Sequence, residues 1–360
     1  MVDRALLIRL GALGDTLQAS SAANLLKKHH PQMEVDFLAT RAWRDLFAMV
    51  PAVSRVYTLP FRRVPFRWHP WWMSLLRRLN LQAYRLAYLM ETNERFLPLL
   101  QGVKADRKIG LTAKESRATH SSSLPNPVRY QRALWEAGLV AKEICYPELV
   151  VMREQERRSE ELVISLGLDP QAPLVGLHAG NSHQARGVWR RKLRKSDLRG
   201  WPEERWGELV SLIHKENGKL QFVLFGGPED RRPNDRIARR LRRDLPAAPL
   251  GDAAGKTDLP LAAALLKRFS VFVSTDTGPL HMAAALQVPF VGLYGPTRFE
   301  ETRPFSADPV GAVLRRSLPC QPCYGTRNQR RCRDNVCMQQ IEAREVVEKT
   351  IQVNPALFSQ

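Results

Sequence analysis

Acidic residues are scarce in this chain. Only 36 Asp and Glu stand against 55 Lys and Arg, which leaves a formal charge of +19 over 360 residues. Such a balance excludes an acidic solvating protein and points to anionic partners: nucleic acid, phosphorylated substrates or an acidic membrane surface. Long apolar runs are also missing. No stretch of 18 apolar residues occurs, so nothing here is expected to span a bilayer. The opening MVDRALLIRL has a short apolar run before a Gly-rich turn and reads as a first β-strand rather than a signal peptide, which predicts a cytoplasmic protein. Neither a G-x-G-x-x-G dinucleotide fingerprint nor a G-x-x-x-x-G-K-[ST] phosphate loop is present. Standard DNA- and RNA-binding motifs, low-complexity tracts and short-period repeats are absent as well.

What is present is enough for two cores. Hydrophobic residues make up 44% of a chain too long for one ordinary α/β layer. Strand and helix patterns alternate. In the first half Ala5–Ile8 reads as a strand, Gly11–Asp15 as a turn, Thr16–His29 as a helix, and Val35–Leu38 as the next strand. A second series begins at Leu174–His178 and runs through Gln221–Phe225 into Val271–Thr297. Alternation of this kind predicts parallel sheets covered by helices. We place domains at 1–168 and 169–337, followed by a C-terminal segment, 338–360, whose helix would cross back to the first domain.

The positive charge is concentrated. Arg62–Lys108 carries ten basic residues and three acidic ones, Arg186–Arg199 seven and one, and Arg315–Arg333 six and none. A solvated face is the plain reading of each. Within the first, FRRVPFRWHPWWMSLLRRLN interleaves aromatics with arginines. Its later part, Trp71–Leu89, could form an amphipathic helix. Arg62, Arg63, Arg67, Trp71, Trp72, Arg77 and Arg78 are candidates for contact with an anionic acceptor or membrane. The alternative is an ordinary helix packed on its own domain.

The most informative segment is VFVSTDTGPLHMAAALQVPFVGLYGPT, residues 271–297. It reads as strand, tight turn, small-residue helix, strand. Asp276, Thr277 and Gly278 bring a carboxylate, a hydroxyl and backbone N–H groups to a helix N-terminus, where phosphates bind readily. Pro279 suits the first helical turn, where its missing N–H costs nothing. The same residues also suit a structural helix cap. The wider wording, D-T-G-x-x-H-x-A-A-A-L followed by Y-G-P-T, resembles the donor-site motif of glycosyltransferase family 9. That family includes the heptosyltransferases that build the inner core of lipopolysaccharide.

The resemblance implies the GT-B architecture, two Rossmann-like parallel-sheet domains facing across a cleft. It implies an inverting, metal-independent transfer of heptose from ADP-heptose to Kdo or heptose on a lipid A-anchored acceptor, by an enzyme peripheral on the inner face of the inner membrane. In the first loop, RLGALGDTLQ, Asp15 matches the family's general base; by itself it would read as a helix cap. Gly180, Asn181 and Ser182 match the loop that contacts the donor phosphates. In Arg199-Gly200-Trp201-Pro202, Arg199 stands where many relatives carry Lys. The preceding basic insert leaves Lys192 and Lys195 as rival phosphate cations. Glu229 and Asp230 close a strand where the family holds the ribose with an acid, although helix-capping acids read the same way. Asp276 would bind sugar hydroxyls. His281, one turn into the helix, would face the diphosphate or serve as a buried structural histidine.

Cys320, Cys323, Cys332 and Cys337 form C-x2-C-x8-C-x4-C, which resembles a small structural Zn site; free thiols or a labile disulfide are the alternatives. No catalytic cofactor is expected. Three other readings stay open: a sibling enzyme using a UDP- or GDP-linked sugar, a basic nucleic-acid- or membrane-binding protein without catalysis, and an inactive lipid-binding relative. On the main reading no nucleic-acid partner is expected.

Overall fold

Five parallel strands form the first sheet: β1 (Arg4–Ile8), β2 (Glu34–Thr40), β3 (Arg55–Leu59), β4 (Tyr84–Leu89) and β5 (Ala105–Gly110), in the order β3-β2-β1-β4-β5. The second sheet has six: β6 (Leu174–His178), β7 (Gln221–Leu224), β8 (Leu250–Asp252), β9 (Phe269–Thr275), β10 (Phe290–Tyr294) and β11 (Gly311–Arg315), in the order β11-β10-β9-β6-β7-β8. The computed structural model describes residues 3–59, 70–110, 124–180, 198–308, 310–332 and 334–359. It divides into two units, Met1–Val150 and Val151–Gln360.

Both sheets are doubly wound. The strand order reverses between β1 and β4 in the first, and between β6 and β9 in the second. In open α/β sheets ligands bind beyond the carboxyl ends of the strands at this reversal. Four loops are thereby singled out, those after β1, β4, β6 and β9. The central strands are near-continuous apolar runs, as expected where a parallel sheet is covered on both faces; Ala5, Leu6, Leu7 and Ile8 of β1 are fully buried. Each buried Leu or Ile side chain contributes roughly 1.5–3 kcal/mol relative to exposure.

The expected boundary after residue 168 falls instead after Val150. The helix Arg153–Ser165 goes with the second unit, where Lys267 meets Glu156 at 2.7 Å and Arg158 meets Asp258 at 3.4 Å. The final helix, Ala343–Val353, buries Ala343, Val346 and Val347 in the core of the second unit.

The long amphipathic helix expected over Trp71–Leu89 is a helix only from Pro70 to Asn80. Asn80 ends it: its side-chain amide donates to the Gly102 carbonyl at 3.0 Å and its Oδ1 accepts from the Lys104 N–H at 2.8 Å. The chain then enters β4. Trp72, Leu75 and Leu79 pack into the core of the first unit, so the apolar side of this helix faces protein. Arg77 and Arg78 are exposed. Arg62, Arg63 and Arg67 lie outside the described residues, as does the side chain of Trp71. Among the described residues no helix is long and apolar enough to cross a membrane.

Candidate active site

In the first unit, the loop after β1 runs Arg9-Leu10-Gly11-Ala12 into the helix Leu13–His29. Asp15 turns back over that loop, and its Oδ2 accepts the Ala12 N–H at 3.1 Å. Gly11 is required by this approach, since a Cβ there would lie 2.5 Å from the Cβ of Asp15. The Asp15 side chain remains 33% exposed.

Arg9 holds that carboxylate. Its Nη2 lies 3.5 Å from Asp15 Oδ1, and its Nη1 lies 2.9 Å from Glu91 Oε2. Glu91 lies just beyond β4, across the reversal point, and its other oxygen accepts the Leu10 N–H at 2.6 Å. The Arg9 guanidinium also lies 5.7 Å from the ring centre of Tyr130. Burial opposes the charge on Arg9, but Tyr130, Asp15 and Glu91 outweigh it and raise its pKa above the ordinary value. Burial pushes the Tyr130 hydroxyl up to about 12. Sequence reasoning misses Glu91. Its one signal is that of a lone acid ending the apolar run LAYLM.

In the second unit, the loops after β6 and β9 meet through a buried polar cluster. His178 Nδ1 lies 3.2 Å from Ser274 Oγ and 3.1 Å from Thr277 Oγ1; its Nε2 lies 3.3 Å from Asp230 Oδ2. Asp230, expected at a ribose, has its carboxylate turned inward instead. It is 3% exposed, and Oδ2 accepts the Gly227 N–H at 2.8 Å. A Cβ on Gly180 would lie 1.7 Å from Asp230 Oδ1, so only glycine fits there. Glu229 is exposed. Thr275 Oγ1 donates to the Gly180 carbonyl at 3.2 Å, which locks the loop after β6 to the end of β9.

Thr277 precedes the helix Gly278–Ala285 and does not cap it with its hydroxyl, which faces His178 instead. Asp276 and His281 approach to 3.9 Å, and each side chain is 9% exposed. Burial and the nearby Asp276 carboxylate raise the Tyr294 hydroxyl well above its ordinary range. Arg199 reaches the same turn: its Nη1 donates to the Asp276 carbonyl at 3.4 Å, and its guanidinium lies 5.2 Å from the Tyr324 ring centre. The next two residues anchor it. The Asn335 side-chain amide donates to the Gly200 carbonyl at 2.7 Å, and the Trp201 indole donates to the Ile341 carbonyl at 2.9 Å. Trp201 also stacks edge-on against Trp206 with ring centres 5.0 Å apart. The structure therefore gathers Gly180, Arg199, Asp230, Asp276, Thr277, Gly278 and His281 at one reversal point. Asn181, Ser182, Lys192 and Lys195 lie outside the described residues.

The cysteines do not build the structural Zn site expected of them. Among the described residues no group of three or more His, Cys, Asp or Glu side chains could hold a metal ion. A Zn site needs four thiolates at about 2.3 Å from one point. Here the Cys332 thiol donates to the Asp334 carbonyl at 3.2 Å, Cys320 is exposed, and Cys323 and Cys337 are buried. Burial raises both buried thiols, Cys337 to about 11, and so favours their protonated form.

Two Rossmann-like parallel sheets in one chain, each with polar groups gathered at its reversal point, are the architecture called GT-B. Residues 190–333 match glycosyltransferase family 9 (heptosyltransferase). Lipopolysaccharide heptosyltransferase 2 of Salmonella typhimurium is 25% identical over 310 residues, covering 82% of this chain and 83% of that protein. Lipopolysaccharide heptosyltransferase 1 of Pseudomonas aeruginosa is 27% identical over 341 residues, covering 89% and 86%. The solved structure of E. coli ADP-heptose lps heptosyltransferase II shares the fold with a TM-score of 0.73, at 21% identity over 97% of this chain and 98% of that one. The chain is thus similar over most of its length to lipopolysaccharide heptosyltransferases, with the family 9 match carried by its second unit.

Proposed function

We propose that this enzyme transfers heptose from ADP-heptose, with inversion, to a Kdo or heptose residue of a lipid A-anchored lipopolysaccharide precursor. The activities for which the relatives are named support the donor and the acceptor class. The observation that carries the mechanism is Asp15, a partly exposed carboxylate beyond the carboxyl end of β1 with Arg9 beside it. As the acceptor oxygen attacks the anomeric carbon, Asp15 takes its proton, and the bond from that carbon to the diphosphate breaks. A carboxylate is a weak base, but it need only accept the proton as the new bond forms, within hydrogen-bond reach.

The leaving ADP carries the developing charge. Arg199 and the N-terminus of the helix Gly278–Ala285 are suited to balance it, the first as a cation and the second through its free N–H groups and dipole. Asp276 would hold sugar hydroxyls. On this reading Asp230 supports the donor loops from behind, and Glu229, the exposed neighbour, is left for the ribose. The reaction proceeds without a catalytic metal. The enzyme works at the cytoplasmic face of the inner membrane, held through charge by the exposed Arg77 and not by insertion, since Trp72 is committed to the core.

The test is a donor panel. ADP-heptose, UDP-linked and GDP-linked sugars are each incubated with a Kdo-lipid A acceptor and EDTA, and nucleotide release is measured. Release from ADP-heptose alone supports the reading. Release from a UDP- or GDP-linked sugar alone moves the chain to a sibling activity, and a requirement for added Mg²⁺ removes the metal-free mechanism.

A further inference from the structure

A cavity of about 270 Å³ lies at the β3 side of the first sheet, lined by Arg41, Arg44, Val56, Tyr57, Thr58, Ser74, Leu75 and Arg78. Its floor is β3, which pairs with β2 on one side and with no other strand among the described residues. One wall is the 3-10 helix Arg41–Met49 and the other is the helix Pro70–Asn80. Three guanidinium groups therefore come from two separate elements onto one strand, and among the described residues no carboxylate lines the space. Asp45, on the same 3-10 helix, is exposed and stands outside the lining. None of the three arginines makes an ion pair with a described carboxylate. Arg78 is held over the Tyr57 ring, 5.8 Å from its centre, which fixes one cation in place.

Like charges do not converge without a cost, and unpaired guanidinium groups are suited to planar, bidentate recognition of phosphate. The hydroxyls of Thr58 and Ser74 add donors. The volume lies below the roughly 300–1,000 Å³ of drug-sized ligand pockets, so the space suits one phosphate and part of its sugar rather than a whole nucleotide sugar. The cavity is also tied to the loop of the base: the Trp43 indole, between Arg41 and Arg44, donates to the Gly11 carbonyl at 3.2 Å, and the Thr40 hydroxyl donates to the Leu10 carbonyl at 3.2 Å.

We propose that this cavity binds a phosphate ester of the acceptor's carbohydrate headgroup, at a site separate from the donor diphosphate site. The identity of the ester rests on the glycolipid acceptor proposed above; the anion site itself rests on the arginines. Binding there would hold the acceptor by a group that takes no part in the reaction, and so would act on acceptor affinity rather than on the chemical step.

The test is calorimetry at low ionic strength with the acceptor headgroup freed of its acyl chains, used both intact and after phosphatase treatment. Wild type and Arg41→Gln/Arg44→Gln are compared; both side chains are exposed, so the fold should survive, and unchanged ADP binding checks that it has. The intact headgroup should bind wild type, and phosphatase treatment should weaken binding about tenfold or more, as expected on losing charge-assisted hydrogen bonds. The double variant should weaken the intact headgroup about as much and the treated one hardly at all. Equal binding of both headgroup forms by wild type, or equal binding of the intact form by both proteins, overturns the proposal. So does binding of phosphatidylglycerol vesicles without binding of the soluble headgroup, because the arginines would then read a membrane surface. ADP release from ADP-heptose by the same proteins is scored separately: its absence sinks the transferase reading, while the headgroup titrations still decide the cavity.

Discussion

Arg9 and Glu91 face each other across the reversal point of the first sheet, with Nη1 and Oε2 2.9 Å apart, and the same guanidinium lies 3.5 Å from Asp15. One buried cation is thus shared between two carboxylates. Glu91 takes the closer contact and also accepts the Leu10 N–H. Asp15 is thus oriented by a cation that it shares with Glu91.

Glu91→Gln tests that sharing. The amide oxygen can still accept from Leu10, but Asp15 becomes the main counter-charge to Arg9. A neighbouring cation less shared stabilises the ionised form of Asp15 and makes it a weaker base. The acid limb of the kcat/KM profile should move to lower pH and the plateau should fall about tenfold, with KM for ADP-heptose unchanged. A lowered Tm with an unmoved pH profile would make Glu91 a purely structural group.

Gly180→Ala should abolish donor binding more than folding. The added methyl would lie 1.7 Å from Asp230 Oδ1, so either the loop after β6 or the Asp230 carboxylate must move. Among the described residues that oxygen has no hydrogen-bond partner, which leaves the clash as the main term. Affinity for ADP should fall at least tenfold. Asp230→Ala removes the acceptor for Gly227 and the neighbour of buried His178, and should cost about 1–3 kcal/mol in stability. Denaturant titration and ADP calorimetry separate the two effects; an unchanged ADP affinity in Gly180→Ala would remove the loop from the donor site.

Metal removal should leave the fold intact. With Cys323 and Cys337 buried as thiols and Cys332 bonded to a carbonyl, dialysis against EDTA is expected to leave Tm within experimental scatter. Elemental analysis should find no stoichiometric zinc. A fall of several degrees on chelation would restore the metal site.

Asp36→Asn should stabilise the first unit at neutral pH. Burial raises the Asp36 carboxyl above its ordinary 3.8, and the hydrogen bond from Tyr84 at 2.9 Å offsets this only in part. A raised folded-state pKa means that the folded protein holds the proton more tightly than the unfolded chain does. The contribution is therefore fully favourable below pH 3.8 and is lost as pH rises through the folded value. At pH 7 the neutral amide should raise Tm by about 2–4 °C, and the advantage should vanish below the ordinary carboxyl range. An advantage that persisted there would point to a cause other than ionisation.

Much of this was legible in the sequence, and for physical reasons. The Asp276-Thr277-Gly278 turn is readable because it is contiguous with β9 and β10, each with its own period and punctuation. The strand Leu174–His178 falls where the pattern puts it. Segment 84–89 was misread because a Trp- and Arg-rich helix runs straight into it, and Tyr-Arg-Leu-Ala-Tyr-Leu fits either period over so short a length. With β4 missed, Glu91 at its end was missed too, along with its pairing to Arg9, 82 positions away. The inward turn of Asp230 was equally hidden. Spacing from Pro228 puts an acid at the strand end, but only packing against Gly180 and His178 says which way it faces.

The central claim is that Asp15 is the base. Asp15→Asn is nearly isosteric and can still accept from Ala12, so ADP binding and Tm should match wild type. The measurement is the single-turnover rate of ADP release with saturating ADP-heptose and acceptor. It should fall by about 10²–10⁴-fold, the range expected for removing a general base. A rate within a factor of a few of wild type, with donor binding intact, would contradict the account and send the search for the base elsewhere in the chain.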